Sequence, residues 1–148
     1  MRTDEVERLA RELMDDHGLQ AWRFRFDRSK KRFGRCEYTG RKITLSRHLV
    51  ALNDEDQCRD TILHEIAHAL APAGCGHDWQ WKATCRRIGA RPVACYTLDE
   101  VVVPPAPWYL VCESCGIRIP RYRKPMRRTV ESGWHRKDAG KLRLERGA

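Results

Sequence analysis

The sequence predicts an α+β fold in which helices pack on a small β-sheet, followed by a small C-terminal β unit. Three observations predict it. Apolar residues recur at helical spacing in two stretches, Val6 to Met14 and Ile62 to Leu70, while the stretch between them alternates as strands do. At 148 residues the chain is long enough for one core and a small satellite. Pro104-Pro105-Ala106-Pro107 is the one good linker candidate, dividing the chain into 1–103 and 104–148.

In order, Val6, Leu9, Ala10, Leu13 and Met14 define a helix from about Thr3 to Asp16 that packs the back of the core and stops at His17-Gly18. His17, at a helix C-terminus, suits the helix dipole better than a metal. Trp22-Arg23-Phe24-Arg25-Phe26 alternates strictly, as a half-exposed strand with its arginines outward. Lys30-Lys31-Arg32 reads as a solvated loop. Arg35-Cys36-Glu37-Tyr38 and Lys42-Ile43-Thr44-Leu45-Ser46 form two more strands joined by the turn at Thr39-Gly40-Arg41. His48 sits near a helix start and reads as a surface or cap residue. Asp54-Glu55-Asp56 then supply an acidic first turn, favourable to the dipole, for the helix that runs to Ala71, and Cys58 in it reads as buried or unused.

That helix carries His64-Glu65-Ile66-Ala67-His68. Residues four apart share a helical face, so both imidazoles can point a nitrogen at one ion, with Glu65 one step round. In hydrolases built on His-Glu-x-x-His, the carboxylate at that position hydrogen-bonds a metal-bound water and takes its proton. Ile62, Leu63, Ile66, Ala69 and Leu70 give the stripe that buries such a helix. The blunt alternative is the solvated polar edge of an ordinary amphipathic helix.

A catalytic zinc needs a third protein ligand. Pro72, Gly74 and Gly76 turn the chain, and the next candidates are Cys75, His77 and Asp78. No Asp or Glu occurs from Trp79 to Leu98, which argues against a Glu ligand on the following helix, and the extended pattern ending in Gly-x-x-His is broken by Ala71 and Gly74. His77 is preferred over Cys75, because a thiolate would weaken the metal's acidifying effect on water. Asp78 is near enough to support the ligands. A second helix follows through Trp81, Lys82, Cys85 and Ile88, stopping at Gly89-Ala90-Arg91-Pro92. Cys36, Cys85 and Cys95 read as core thiols, and Val93 to Val103 as an apolar, β-prone stretch.

Charge is uneven. Pro104 to Ala148 holds 11 basic against 4 acidic residues, whereas residues 1–103 hold 18 against 16, so a polyanion partner is expected at the C-terminal unit. No apolar run approaches the ~18 residues of a membrane span, and Met1-Arg2-Thr3-Asp4-Glu5 lacks a signal-peptide core. A cytoplasmic protein with reduced thiols is expected, acting as a monomer with no membrane partner and able to associate with the nucleoid. Seven irregularly spaced cysteines suit ligands and buried thiols better than a disulfide framework. Trp108 to Gly116 contains Cys112-Glu113-Ser114-Cys115, the knuckle pattern of a zinc ribbon.

His64-Glu65-Ile66-Ala67-His68, the glycine-bearing turn, Gly76-His77-Asp78 and Trp81-Lys82 together resemble the SprT-like metalloproteases, which include the Spartan proteases. The resemblance runs from about Leu9 to the C-terminus. It implies a zincin-like core and a zinc-dependent peptidase, in Spartan's case one acting on proteins bound or crosslinked to DNA. It also implies that the second hairpin strand edges the active cleft, where an extended substrate adds by main-chain pairing. Trp81 should pack inward and Trp79 line the cleft. Where the family pattern places a second Cys-x-x-Cys, this chain has His135 and Asp138. Two cysteines, a histidine and an aspartate are an unusual but allowed donor set, leaving a weak site or a metal-free ribbon as rivals to an occupied one. Occupation is the expectation, since Cys112 and Cys115 have no other evident task.

The leading reading is therefore a zinc endopeptidase with His64, His68 and His77 as ligands and Glu65 as general base. A protein is its substrate, and DNA is met through Arg118, Arg121, Arg123, Lys124, Arg127 and Arg128. Its rivals are a DNA-binding zinc protein with little or no protease activity, against which the intact Glu65 speaks, and a small-molecule zinc amidase, which would not need the basic tail.

Overall fold

A computed structural model describes residues 1–97 and 99–148. The chain forms two compact units, Met1–Pro104 and Pro105–Ala148. The fold is mixed α+β with one small sheet in each unit. Among the described residues no helix is long and apolar enough to cross a membrane.

The N-terminal unit runs α1 (Thr3–Asp16), β1 (Arg23–Asp27), β2 (Gly34–Glu37), β3 (Lys42–Ser46), α2 (Arg47–Leu52), α3 (Glu55–Leu70) and α4 (Trp79–Ile88). α1 buries Val6, Ala10, Leu13 and Met14, the face its periodicity marks. Arg23 and Arg25 of β1 are exposed and Phe24 is buried, as strict alternation requires. The strand order is β1-β3-β2, with β1 parallel and β2 antiparallel to β3.

β3 is thus central, and Ile43, Thr44, Leu45 and Ser46 are all buried. A strand paired on both sides has no edge to offer a substrate, which corrects the expectation for the second hairpin strand: the strand lining the cleft is β2. The Ser46 amide donates to the Phe33 carbonyl at 2.7 Å. In an antiparallel ladder bonded and non-bonded pairs alternate, so Phe33, Arg35 and Glu37 bond to β3 while Gly34 and Cys36 turn their main-chain groups to the open edge.

α3 packs on α1, α4, β2 and β3. Ile62, Ile66 and Ala67 are fully buried, and Leu63 nearly so. Its start is fixed by a reciprocal cap: Asp54 accepts from the Gln57 amide at 3.0 Å, and the Gln57 side chain accepts from the Asp54 amide at 3.0 Å.

The stretch from Val93 to Val103 forms no strand among its described residues, Leu98 lying outside them. Side chains hold it as a loop instead. Arg91 bridges Asp60 at 2.8 Å and Glu100 at 2.9 Å, Gln57 donates to the Glu100 carbonyl, and buried Asn53 exchanges hydrogen bonds with the Val102 main chain at 2.8 Å. The Glu100 carbonyl and both main-chain groups of Val102 are thus satisfied by side chains rather than by a neighbouring strand.

The C-terminal unit contains β4 (Trp108–Cys112), β5 (Arg118–Arg121), α5 (Arg127–Glu131) and β6 (Leu142–Arg146). Its sheet is antiparallel throughout, in the order β5-β4-β6, with Leu110, Val111 and Cys112 of the central strand buried.

Candidate metal centre

α3 sets His64 and His68 one turn apart, and the turn after it, with Gly74 and Gly76 at φ of 84° and 58°, delivers His77 just before α4. The three Nε2 atoms converge, His68 to His77 at 3.0 Å and His77 to His64 at 3.2 Å. Nitrogens on a tetrahedral ion at ~2.0–2.1 Å stand roughly 3.3–3.4 Å apart, so these three fit one metal with little adjustment. Burial holds the His64 and His68 rings down to about 4, helped at His64 by His68 and His77 and at His68 by His77; burial also lowers His77. The rings are neutral at physiological pH, the form that binds metal.

Trp81 forms the floor. It is fully buried, with ring centroids 4.8 Å from His64, 5.2 Å from His68 and 4.6 Å from His77. Its Nε1 is buried without a hydrogen-bond partner among the described residues. The Val93 carbonyl accepts a hydrogen bond from the His64 ring, the kind of outer contact that fixes a ligand's tautomer. Tyr38 donates its hydroxyl to the His68 carbonyl at 2.7 Å near the end of α3. Neither contact carries a sequence signal, because the acceptor in each is a backbone carbonyl.

Glu65 is 6% exposed and lies against the edge of β2. Burial pushes its carboxyl up to about 8, against the opposing pull of the Arg32 charge and the Cys36 amide, which donates to it. A divalent cation beside it would favour the ionised form. The cleft above these residues has a volume of about 800 Å³, with β2 on one side and the loop from Val93 to Tyr96 also in its wall.

Some expectations are corrected here. Asp78 does not support a ligand ring; its carboxylate caps α4, accepting from the Gln80 amide at 2.8 Å and the Trp81 amide at 3.2 Å. Trp79 is 74% exposed and does not line the cleft. Cys95 is exposed in the cleft wall rather than in the core, whereas Cys85 is buried. Lys31 and Arg32, read as solvated, also line the cleft, with Arg32 paired to Asp27 at 3.0 Å.

A second group of possible ligands lies in the C-terminal unit, where Cys112, Cys115, His135 and Asp138 converge. Cys112 Sγ is 3.4 Å from Asp138 Oδ1, Cys115 Sγ 3.4 Å from His135 Nδ1, and His135 Nδ1 3.0 Å from Asp138 Oδ1. Two turns of one shape present them. The Gly116 amide donates to the Cys112 carbonyl at 2.9 Å with φ 74°, and the Ala139 amide donates to the His135 carbonyl at 2.8 Å with φ 55°. Glycine takes that left-handed backbone freely; alanine takes it at a cost, so the second turn keeps its shape against its own residue's preference. The Gly140 amide, donating to Asp138 at 2.9 Å, and then Cys115 hold the Asp138 carboxyl well below the usual range.

The basic residues around this cluster are unequal. Arg118 pairs with Glu145 at 2.9 Å and lies over the Tyr109 ring, Lys124 lies over the Trp108 ring, Arg121 donates to the Pro120 carbonyl, and Arg127 pairs with Glu131. Arg123 and Arg128 are exposed, with no ion pair among the described residues.

Comparison with curated proteins and with solved structures found no match for the chain. The model of the SprT-like family matches residues 3–100, which include the three histidines, Glu65 and Trp81 but not the C-terminal unit to which the resemblance was extended. With well over half its length matched, and with the converging histidines inside the matched part, the chain belongs to the SprT-like family.

Proposed function

We propose that the protein is a zinc-dependent metallopeptidase that hydrolyses peptide bonds in DNA-associated or DNA-crosslinked proteins. The observation that carries the reading is the convergence of three neutral imidazoles beside a buried glutamate at the base of an open cleft. A N3 donor set suits zinc at a catalytic site. In this reading the N-terminal unit is a zincin-like core and the C-terminal unit a zinc-ribbon-like module, whose Cys112, Cys115, His135 and Asp138 hold a second, structural zinc.

When bound, zinc supplies Lewis-acid chemistry, acidifying water and polarising a carbonyl. His64, His68 and His77 hold it through Nε2, and Trp81 and the Val93 carbonyl keep those rings in place. Glu65 accepts the proton lost by the attacking water and returns it to the leaving amine. The outward main-chain groups of β2 other than the Cys36 amide align an extended substrate by strand addition. Arg118, Arg121, Arg123, Lys124, Arg127 and Arg128 meet the phosphate backbone without reading bases. In this reading the protein is cytoplasmic and able to associate with the nucleoid through that charge.

The test is Glu65→Gln in the full zinc-loaded chain, assayed on a DNA-bound protein with and without single- and double-stranded DNA. The amide cannot accept the proton, so cleavage should fall by ~10²–10⁴-fold while zinc content and DNA affinity stay near the parent's. Equal cleavage by the two chains would refute the mechanism. If neither chain cleaves, the excess of basic residues in the C-terminal unit favours the second reading, a DNA-binding zinc protein.

A further inference from the structure

We infer that Gly34 is a positioning residue for Glu65: the missing side chain at this point of β2 is what lets the carboxylate lie against the strand edge inside the histidine cleft. The catalytic half of this inference rests on the peptidase reading; the packing half does not.

A Cβ placed on Gly34 would stand 2.6 Å from Glu65 Oε1, 2.8 Å from Glu65 Cγ and 2.9 Å from Thr61 Cγ2. Ordinary carbon contacts lie at ~3.5–4.0 Å, so all three are overlaps. Thr61 and Glu65 are four apart and share a face of α3, so sliding the strand along the helix exchanges one overlap for the other. Withdrawing the strand is opposed on its far side, where β2 is paired to β3 from Gly34↔Leu45 to Glu37↔Lys42. The remaining escape is rotation of the Glu65 side chain, which takes its carboxylate off the Cys36 amide that now orients it. The requirement at position 34 is therefore space: β2 and α3 approach so closely that only a hydrogen fits between the strand and the base.

The experiment compares the full zinc-loaded parent, Gly34→Ala, Glu65→Asp and the double variant on a DNA-bound protein, with and without added single- and double-stranded DNA, and with zinc content measured alongside. Gly34→Ala should keep its zinc and hold KM within about twofold while kcat falls roughly 10²-fold, the cost of a misplaced catalytic group. Glu65→Asp draws the carboxylate back by one methylene, so the double variant should be no slower than Glu65→Asp alone. Thermal melting of the metal-free chains gives a readout independent of activity: Gly34→Ala should lower Tm by several degrees when Glu65 is present and by much less beside Glu65→Ala. Unchanged kcat in Gly34→Ala, or an equal loss of Tm in both backgrounds, overturns the inference. Should Gly34→Ala not fold, recovery of folding beside Glu65→Ala supports it and continued failure overturns it. A zinc-loaded parent that cleaves nothing, with the Tm coupling present, overturns the peptidase reading and leaves the packing role of Gly34 standing.

Discussion

Replacing Trp81 with Phe separates the two tasks of the indole, filling the core and steadying three imidazoles. The side chain is fully buried, and trimming it to Ala would cost ~3–5 kcal/mol, enough to threaten a domain whose whole stability is of order 5–15 kcal/mol. Phe keeps an aromatic ring and deletes only part of the bicycle, for ~1–2 kcal/mol of lost packing. It also deletes the buried Nε1–H, which has no partner among the described residues and whose desolvation costs ~1–3 kcal/mol in the parent. These terms nearly cancel, so urea unfolding of metal-free Trp81→Phe should give a stability within about 1 kcal/mol of the parent. The ring contacts do not cancel. The indole touches all three histidines at 4.6–5.2 Å between centroids, and such pairs are worth ~0.5–1.5 kcal/mol each. Rings no longer steadied by the indole must be ordered when the ion binds, and a cost of about 0.5 kcal/mol at each of the three sums to roughly tenfold in metal affinity, within the range seen when outer contacts of a metal site are removed. Competition with a chromophoric zinc chelator reads this directly. Parent-like zinc affinity in a Trp81→Phe chain of unchanged stability would refute the idea that the indole orients the ligands.

Two further outcomes concern the C-terminal unit. Cys112→Ser should remove close to one equivalent of bound zinc per chain by elemental analysis while the histidine centre keeps its own, and unchanged zinc content would show that the four donors hold none. Arg123 and Arg128, with no ion pair among the described residues, should each contribute about one unit to the slope of log K against log salt in DNA binding, whereas Arg127, already paired with Glu131, should contribute less; equal slopes for all three variants would refute that ranking.

The elements legible in the sequence were those whose signals are local. α1 and α3 follow from apolar spacing and, for α3, from the acidic first turn at Asp54-Glu55-Asp56, and the hairpin of β2 and β3 from two β-prone runs around Thr39-Gly40-Arg41. The four-residue spacing of His64 and His68 brings their rings together because one helix carries both. What was not legible depends on partners distant in sequence. Alternation in β1 says that it is a strand, but not that it joins β3 in parallel and so turns β2 into the edge. Apolar residues from Val93 onward suggest a strand, yet Asn53, Gln57 and Asp60 on or before α3 hold that segment as a loop. Cys95 reads as core for want of a partner, although exposure is decided by the loop that carries it. Gly34 looks like an ordinary strand-entry residue until Glu65, 31 positions later, is seen against it.

The open edge of β2 has a consequence for the life of the protein in solution. A strand with free main-chain groups is a template on which another chain can build, the usual first step of intermolecular sheet growth. Many proteins blunt such an edge with proline, inward charges or a bulge. Here β2 is four residues long, α3 packs beside it, and Glu65 accepts the outward amide of Cys36, so the side chain proposed to run the chemistry also caps a point of self-association. Substitutions at Glu65 chosen to silence the proposed chemistry for binding or trapping studies therefore bare part of a sticky edge. Glutamine, which keeps a carbonyl oxygen to accept from Cys36, should leave the chain more soluble than alanine does.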